Sequence, residues 1–301
     1  MKKYYIYFFK YLRSKLSAKI WQSYVLSDEQ FKEFSISKKL SFDNLIKIPI
    51  PRNHLISADP SFINSDCIIF ESIKISNGCG QIYFFNINTG KLKKFFLKRN
   101  KHYSFPQYYE IKKCKYITFE SNEDYGLIIY KIKSNILDNE QINLEKIKIQ
   151  NNPRIKFIDP IIIYVKDNYY CFASDKVKPN LTKCIGRIHF KEEDKIEIDT
   201  KKIIDYVLPH RLAGKSQVSK KGIIFHGQIS NYRYGEGVKK FISKNNRSLE
   251  AIETYKINDK KYFGPHTLNF SPCNKYVALD ICYESFNLIH LFVKIMQFLK
   301  R

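Results

Sequence analysis

The chain is poor in several things at once. Glycine and proline number 11 and 10 in 301 residues, which excludes collagen-like and linker-rich architectures. Arginine supplies only 9 of the 52 basic residues. The seven cysteines include no C-x-x-C pair, and no His/Cys cluster has zinc-ligand spacing. A D-x-D motif is absent, and the acidic stretch from Asp194 to Asp199 reads as a solvated face. A Gly-rich phosphate loop is absent too, because Asn77-Gly78-Cys79-Gly80 is too short and sits in a hairpin context. No metal and no cofactor are therefore expected. No apolar run reaches the roughly 20 residues that a membrane-spanning helix needs.

What is present is 44% hydrophobic and 15% aromatic residues, enough to bury a core in one large domain or two small ones. Charge is the outlier, at +23. Phosphate neutralisation uses clustered cations, but readers of nucleic acid lean on the bidentate Arg fork, and this excess is nearly all dispersed Lys. Nucleic acid is set aside as a partner. Anionic lipid or an anionic sugar nucleotide remains open. Cys67, Cys79, Cys114, Cys171, Cys184, Cys273 and Cys282 are odd in number, and several lie in apolar runs such as Asp66-Cys67-Ile68-Ile69-Phe70. They read as packed free thiols in a reducing compartment.

The N-terminus, Met1-Lys2-Lys3-Tyr4-Tyr5-Ile6-Tyr7-Phe8-Phe9-Lys10, starts like a signal peptide but has a short apolar run and no small-residue cleavage site. Residues 1–45 are read as a basic amphipathic helix and a lead-in strand, and residues 286–301 as a C-terminal amphipathic helix. Each end either packs on the domain or touches an anionic membrane peripherally. The expected location is the cytoplasm, with the inner face of the membrane within reach.

Between the ends, short apolar and aromatic runs punctuated by Asn, Gly, Asp and Lys give an all-β pattern. Self-comparison finds five copies of one unit, opening at Asp59, Pro106, Asp159, Arg211 and His266, in steps of 47, 53, 52 and 55 residues. The first runs from Ser57-Ala58-Asp59-Pro60 through Ile68-Ile69-Phe70-Glu71 to Gly80-Gln81-Ile82-Tyr83-Phe84. The spacing is that of a four-stranded propeller blade. The expected fold is an all-β, five-bladed β-propeller over residues 46–285, flanked by the two short helices.

In a propeller the first strands line the central channel, so residues opening each copy converge on one funnel. Asp59, Asp159, Arg211 and His266 should meet there, with Glu71 and Glu120 in a ring at the same mouth. Asp-Pro is also ordinary turn chemistry, but two such pairs in register favour function. Arg211 either binds substrate or pairs with Asp159 as a structural link. His266 has a similar alternative as a satisfied hydrogen-bonding residue, and Glu71 and Glu120 either bind sugar hydroxyls or cap strand ends.

At these residues the chain resembles a known family. Ala58-Asp59-Pro60, Phe70-Glu71, Phe105-Pro106, Thr118-Phe119-Glu120-Ser121, Ile158-Asp159-Pro160, Arg211-Leu212-Ala213-Gly214, Gln228 with Tyr234-Gly235-Glu236, and Gly264-Pro265-His266-Thr267-Leu268-Asn269 are similar to the N-terminal propeller of glucosamine inositolphosphorylceramide transferases and its bacterial polysaccharide-biosynthesis relatives. The likeness runs from about Trp21 to Asn287. The same blade grammar is similar to glycoside hydrolase propellers, the arabinanases and invertases. That second resemblance implies Asp59 as base and Asp159 as the residue that orients substrate and tunes the acid. The acid is open, because the fourth copy offers Gln228, with Glu236 further on.

Three readings follow. The first is a glycosyltransferase of surface glycan or polysaccharide assembly. In it Asp59 is the base, Asp159 and His266 share the catalytic set, and Glu71, Glu120, Arg211, Gln228, Tyr234, Glu236 and Asn269 bind substrate. Its partners are an activated sugar donor and a glycan or lipid-linked acceptor. The second is a glycoside hydrolase with Glu120 or Glu236 as acid. The third is a noncatalytic glycan-binding subunit.

Overall fold

A computed structural model describes residues 17–286, apart from 98–99, 135, 137–141, 193–194, 232, 245–247 and 260. The helices expected at the two termini lie outside the described residues, except Phe286, which ends a strand. The protein is a five-bladed β-propeller. The first blade is a simple antiparallel sheet of Ala58–Phe62, Cys67–Ile73, Gly80–Asn86 and Leu92–Lys94, and the second repeats it with Tyr103–Ile111, Cys114–Ser121, Ile129–Ile132 and Leu144–Lys146. The third, from Phe157 to Asp199, adds Lys148–Gln150 as a parallel outer strand, and the fourth runs from Gln217 to Tyr255.

The fifth blade closes the ring. Its inner strand Leu268–Phe270 pairs with Tyr276–Phe286, and that strand pairs along its whole length with Ser17–Ser27, from Ser17 against Phe286 to Ser27 against Tyr276. Ile46–Lys47 forms the outer edge. The lead-in strand is thus part of the fifth blade rather than a preface to the propeller. An apolar cluster fills each of the five junctions between neighbouring blades, for example Ile69, Phe84, Ile117 and Phe119 between the first two and Val25, Phe62, Ile68 and Ala278 across the closure. Burial of these sheet faces is the main force holding the blades together.

The one described helix, Asp28–Ser37, follows the closing strand. Ser27 Oγ accepts from the Gln30 N–H at 3.2 Å and Gln30 Oε1 accepts from the Ser27 N–H at 2.8 Å, a reciprocal cap that satisfies two donors at the helix start. Phe31 and Phe34 are its buried face, with Phe31 against Tyr255 of the fourth blade.

Three blades enter their first strand in the same unusual way. Asp59, Phe105 and Asp159 have φ of 50°, 50° and 49° and each precedes a proline. The ladder register shifts around each of them, between Ala58 and Ser61, Ser104 and Gln107, and Ile158 and Ile161. A left-handed conformation costs a non-glycine residue about 1–2 kcal/mol, and a bulge re-aims the side chain it carries. Two of the three positions carry carboxyls.

Candidate active site

The bulged entries bring Asp59, Asp159, Arg211 and His266 together with Glu71, Glu120 and Tyr234, as two arms of one buried polar ring. In the first arm Arg211 chelates Asp159, with Nε to Oδ2 at 2.7 Å and Nη2 to Oδ1 at 2.9 Å. Glu120 Oε2 lies 3.6 Å from Arg211 Nη2 and accepts from the Asp159 N–H at 3.2 Å. Burial, reinforced by Asp159 and opposed by Arg211, pushes Glu120 up to about 8. Glu120 is therefore a protonated acid at neutral pH, held beside an ion pair.

The second arm is built on Asp280, which is fully buried. Its carboxylate accepts from the N–H groups of Asp59 (3.0 Å), His266 (3.1 Å) and Thr267 (2.7 Å), and Oδ2 faces His266 Nδ1 at 3.0 Å. Burial works against the charge of Asp280, but His266 and these N–H donors outweigh it and hold its pKa below the usual range. His266 is raised because Asp280 and Asp59 outweigh its desolvation. Asp59 is raised well above the ordinary range by burial, with His266 opposing. Asp59 Oδ2 accepts from the Phe105 N–H at 3.2 Å, whereas Oδ1 receives no hydrogen bond and has His266 Nδ1 3.4 Å away.

Glu71 lies within hydrogen-bonding reach of the Asp59 carboxyl and is pushed up to about 8 by burial. Its other neighbour is His102, whose Nε2 stands 3.4 Å from Glu71 Oε1. His102 Nδ1 accepts the Gly80 N–H at 2.8 Å, so the proton of the neutral ring sits on Nε2, facing Glu71. A Cβ at Gly80 would fall 2.3 Å from Glu71 Oε1, so the glycine leaves the room that this carboxyl occupies.

Tyr234 joins the arms. Its hydroxyl meets His266 Nε2 at 2.7 Å and its ring lies under the Arg211 guanidinium, 5.5 Å from centroid to Cζ. Trp21 packs on His266 with ring centroids 4.8 Å apart. Gly235, with φ 71°, lets the loop approach Trp21, since a Cβ there would stand 2.7 Å from the indole.

Three sequence candidates fall elsewhere. Glu236 has both oxygens engaged, Oε1 by the Arg233 N–H at 2.6 Å and Oε2 by Lys256 Nζ at 2.8 Å, so it fixes the Tyr234 loop. Gln228 Nε2 donates to the Leu212 carbonyl at 3.3 Å and props the strand behind Arg211. Asn269 donates to the Pro60 carbonyl at 2.8 Å and accepts the Lys215 N–H at 2.7 Å, deeper along the channel. Asp280 and His102 were missed. Asp280 ends an apolar run in the fifth copy as Glu71 and Glu120 do in the first two, a signal legible in the repeat. His102 left none. Asp59, His266 and Asp280 each offer a ligand atom within 4.8 Å of the others. Among the described residues no helix is long and apolar enough to cross a membrane.

The paired glutamic acids set a pH dependence. A folded-state pKa raised from 4.5 to about 8 means that the native protein holds protons the unfolded chain has released, so stability falls as pH rises through that interval. Buried histidines with lowered pKa, such as His226 at about 4, act in the opposite sense only below about 6.5. The melting temperature should therefore fall between pH 6.5 and 8 in a thermal scan. The fall should flatten in Glu71→Gln and Glu120→Gln, and an equal slope in both variants would contradict the assignment.

No protein-family model matches the sequence, and no curated protein matches it. The resemblance to the glucosamine inositolphosphorylceramide transferases thus rests on the motifs alone. The fold is similar to that of a bifunctional GH43-CE protein of Bacteroides eggerthii, with TM-score 0.50 and 10% identity over 76% of this chain and 32% of that one. An exo-β-1,3-galactanase from Phanerochaete chrysosporium gives TM-score 0.48 and 9% identity over 74% of this chain and 60% of that one. An exo-1,5-α-L-arabinanase from a bovine ruminal metagenomic library gives 0.47 and 9% over 78% and 95%. At these identities the likeness is one of fold, a propeller shared with carbohydrate-active glycoside hydrolases.

Proposed function

We propose that this propeller hydrolyses glycosidic bonds, with Asp59 as the base that activates water and Glu120 as the acid that protonates the departing oxygen. The observation that carries the reading is the pairing of unlike carboxyls on one ring. Burial beside Asp159 holds Glu120 toward its protonated form, whereas Asp59, raised by burial as well, has His266 Nδ1 3.4 Å from its Oδ1 to favour the charged form. Separated acid and base roles for two carboxyls are what glycoside cleavage needs. Glu236, the other candidate acid, is committed to Lys256 and the Arg233 N–H.

Transfer from a sugar nucleotide finds less support. It calls on Arg211 and His266 to cradle a diphosphate, yet both serve the ring's own carboxyls. The ring is also recessed, with the Asp59 side chain 7% and that of Arg211 19% exposed, so a terminal sugar entering end-on fits better than the middle of a chain. The test is a panel of aryl pentosides and hexosides incubated with the wild type and Asp59→Asn. Sugar release by the wild type and a loss of about 10²–10⁴-fold in the variant is expected. Binding without release in both proteins would favour the glycan-binding subunit.

A further inference from the structure

The inner strands that carry the carboxyl ring at one end of the channel end in a cavity at the other. It measures about 730 Å³, and its wall includes Ser61, Tyr108, Lys215, Ser216, Asn269 and Asn274. Ser61 follows Asp59, Tyr108 follows Phe105, Lys215 follows Arg211 and Asn269 follows His266, each by two to four positions along its strand or lead-in. The cavity therefore lies at the far mouth, away from the acid–base groups. Its size is within the 300–1,000 Å³ range of small-molecule sites.

The chemistry of the floor is one-sided. Lys215 Nζ donates to the Tyr108 carbonyl at 3.0 Å and lies 4.8 Å from the Tyr109 ring centroid. No carboxylate pairs with it among the described residues. Ser216 Oγ is buried without a hydrogen-bond partner. Behind Ser61, the fully buried Gln107 accepts the Ser61 hydroxyl at 3.2 Å through Oε1 and leaves Nε2 with no acceptor. Unspent buried donors call for a ligand rich in acceptors. The hairpins between first and second strands turn at this end of the blades and carry Lys112, Lys113, Lys166, Lys220, Lys221 and Lys275, against Asp66 and Asp167, so this face of the propeller is basic beyond the cavity itself. Glu110 is the acidic residue in the wall.

We propose that this cavity is a second ligand site, for a small molecule bearing a phosphate or carboxylate group that seats its oxyanion on Lys215 and Ser216. Burial pushes Lys215 down to about 8, so an arriving anion restores the ammonium and binding takes up a proton above that pH. The site is independent of the hydrolytic reading, since none of its groups belongs to the carboxyl ring.

Calorimetric titration of the full chain at pH 8.5 with inorganic phosphate, glucuronate and neutral glucose, in two buffers of different ionisation enthalpy, tests it. Binding of phosphate or glucuronate with proton uptake is expected, and none of glucose. Lys215→Met and Ser216→Asp should each weaken that binding at least tenfold, with any glycoside hydrolysis unchanged. If the first variant fails to fold, the second decides. A parallel arm uses vesicles containing phosphatidate: binding to vesicles but not to free phosphate assigns the oxyanion to a lipid headgroup, and the reverse assigns it to a soluble metabolite. Glucose binding as tight as that of the oxyanions, oxyanion binding untouched by the variants, or no oxyanion binding in either arm would overturn the proposal.

Discussion

Asp280→Ala is expected to destabilise the propeller by about 3–5 kcal/mol, the range for breaking a buried ion pair from one side. Asp280 is fully buried, and its two oxygens take three backbone N–H groups and face His266. Truncation leaves those donors unpaired inside the molecule, where each costs about 1–3 kcal/mol. One of them is the N–H of Asp59 itself, held at a left-handed φ of 50°, so the first-blade entry should loosen together with the closure. Asp280→Asn keeps one acceptor oxygen and should lose less. The check is equilibrium urea unfolding of the two variants beside the wild type. A loss below 1 kcal/mol for the alanine variant would mean that Asp280 does not hold the ring. By contrast, the pair of Lys32 with Asp28 is exposed and screened by solvent, so its loss should matter little.

Glu120→Gln should separate substrates by their leaving groups. An acid that protonates the departing oxygen contributes about 10²–10⁴-fold when the leaving group is a poor one, and almost nothing when it departs as a stable anion. The kcat on an alkyl glycoside or disaccharide should therefore fall by about 10²–10⁴-fold, while the kcat on a dinitrophenyl glycoside of the same sugar should stay within about tenfold. Glutamine keeps the size of the side chain, so the Arg211–Asp159 chelate beside it should survive. Because Glu120 titrates near 8, the wild-type rate on the poor leaving group should also decline above that pH and the variant's should not. Equal losses on both substrates would assign Glu120 to substrate binding instead.

The repeat made most of the fold legible. Five copies in steps near fifty residues are enough to infer five blades, and the recurring X-Pro steps Asp59-Pro60, Phe105-Pro106 and Asp159-Pro160 mark the bulged entries. The closure was not legible, because the pairing of Ser17–Ser27 with Tyr276–Phe286 joins segments some 250 residues apart, the first of them outside the five copies. Convergence of the ring followed from topology, so Asp59, Asp159, Arg211 and His266 could be placed together before any coordinates. What sequence could not give is who pairs with whom. Arg211 and His266 are cations in composition, but their neighbours commit them to Asp159 and to Asp280, and that commitment turns the reading from transfer toward hydrolysis. Glu236 shows the same limit from the other side: its Gly-flanked loop suggested an acid, whereas Lys256 from the end of the blade claims it.

The measurement that bears most directly on the account is hydrolysis in ¹⁸O-labelled water. Wild type and Asp59→Asn would be given the best glycoside of the panel, and separately a sugar nucleotide with a glycan acceptor, and the products read by mass spectrometry. Hydrolysis with Asp59 as base predicts free sugar carrying one ¹⁸O at its anomeric carbon from the glycoside, no release by Asp59→Asn, and no transfer from the nucleotide. Unlabelled sugar joined to the acceptor, formed only when the nucleotide is present, would contradict it.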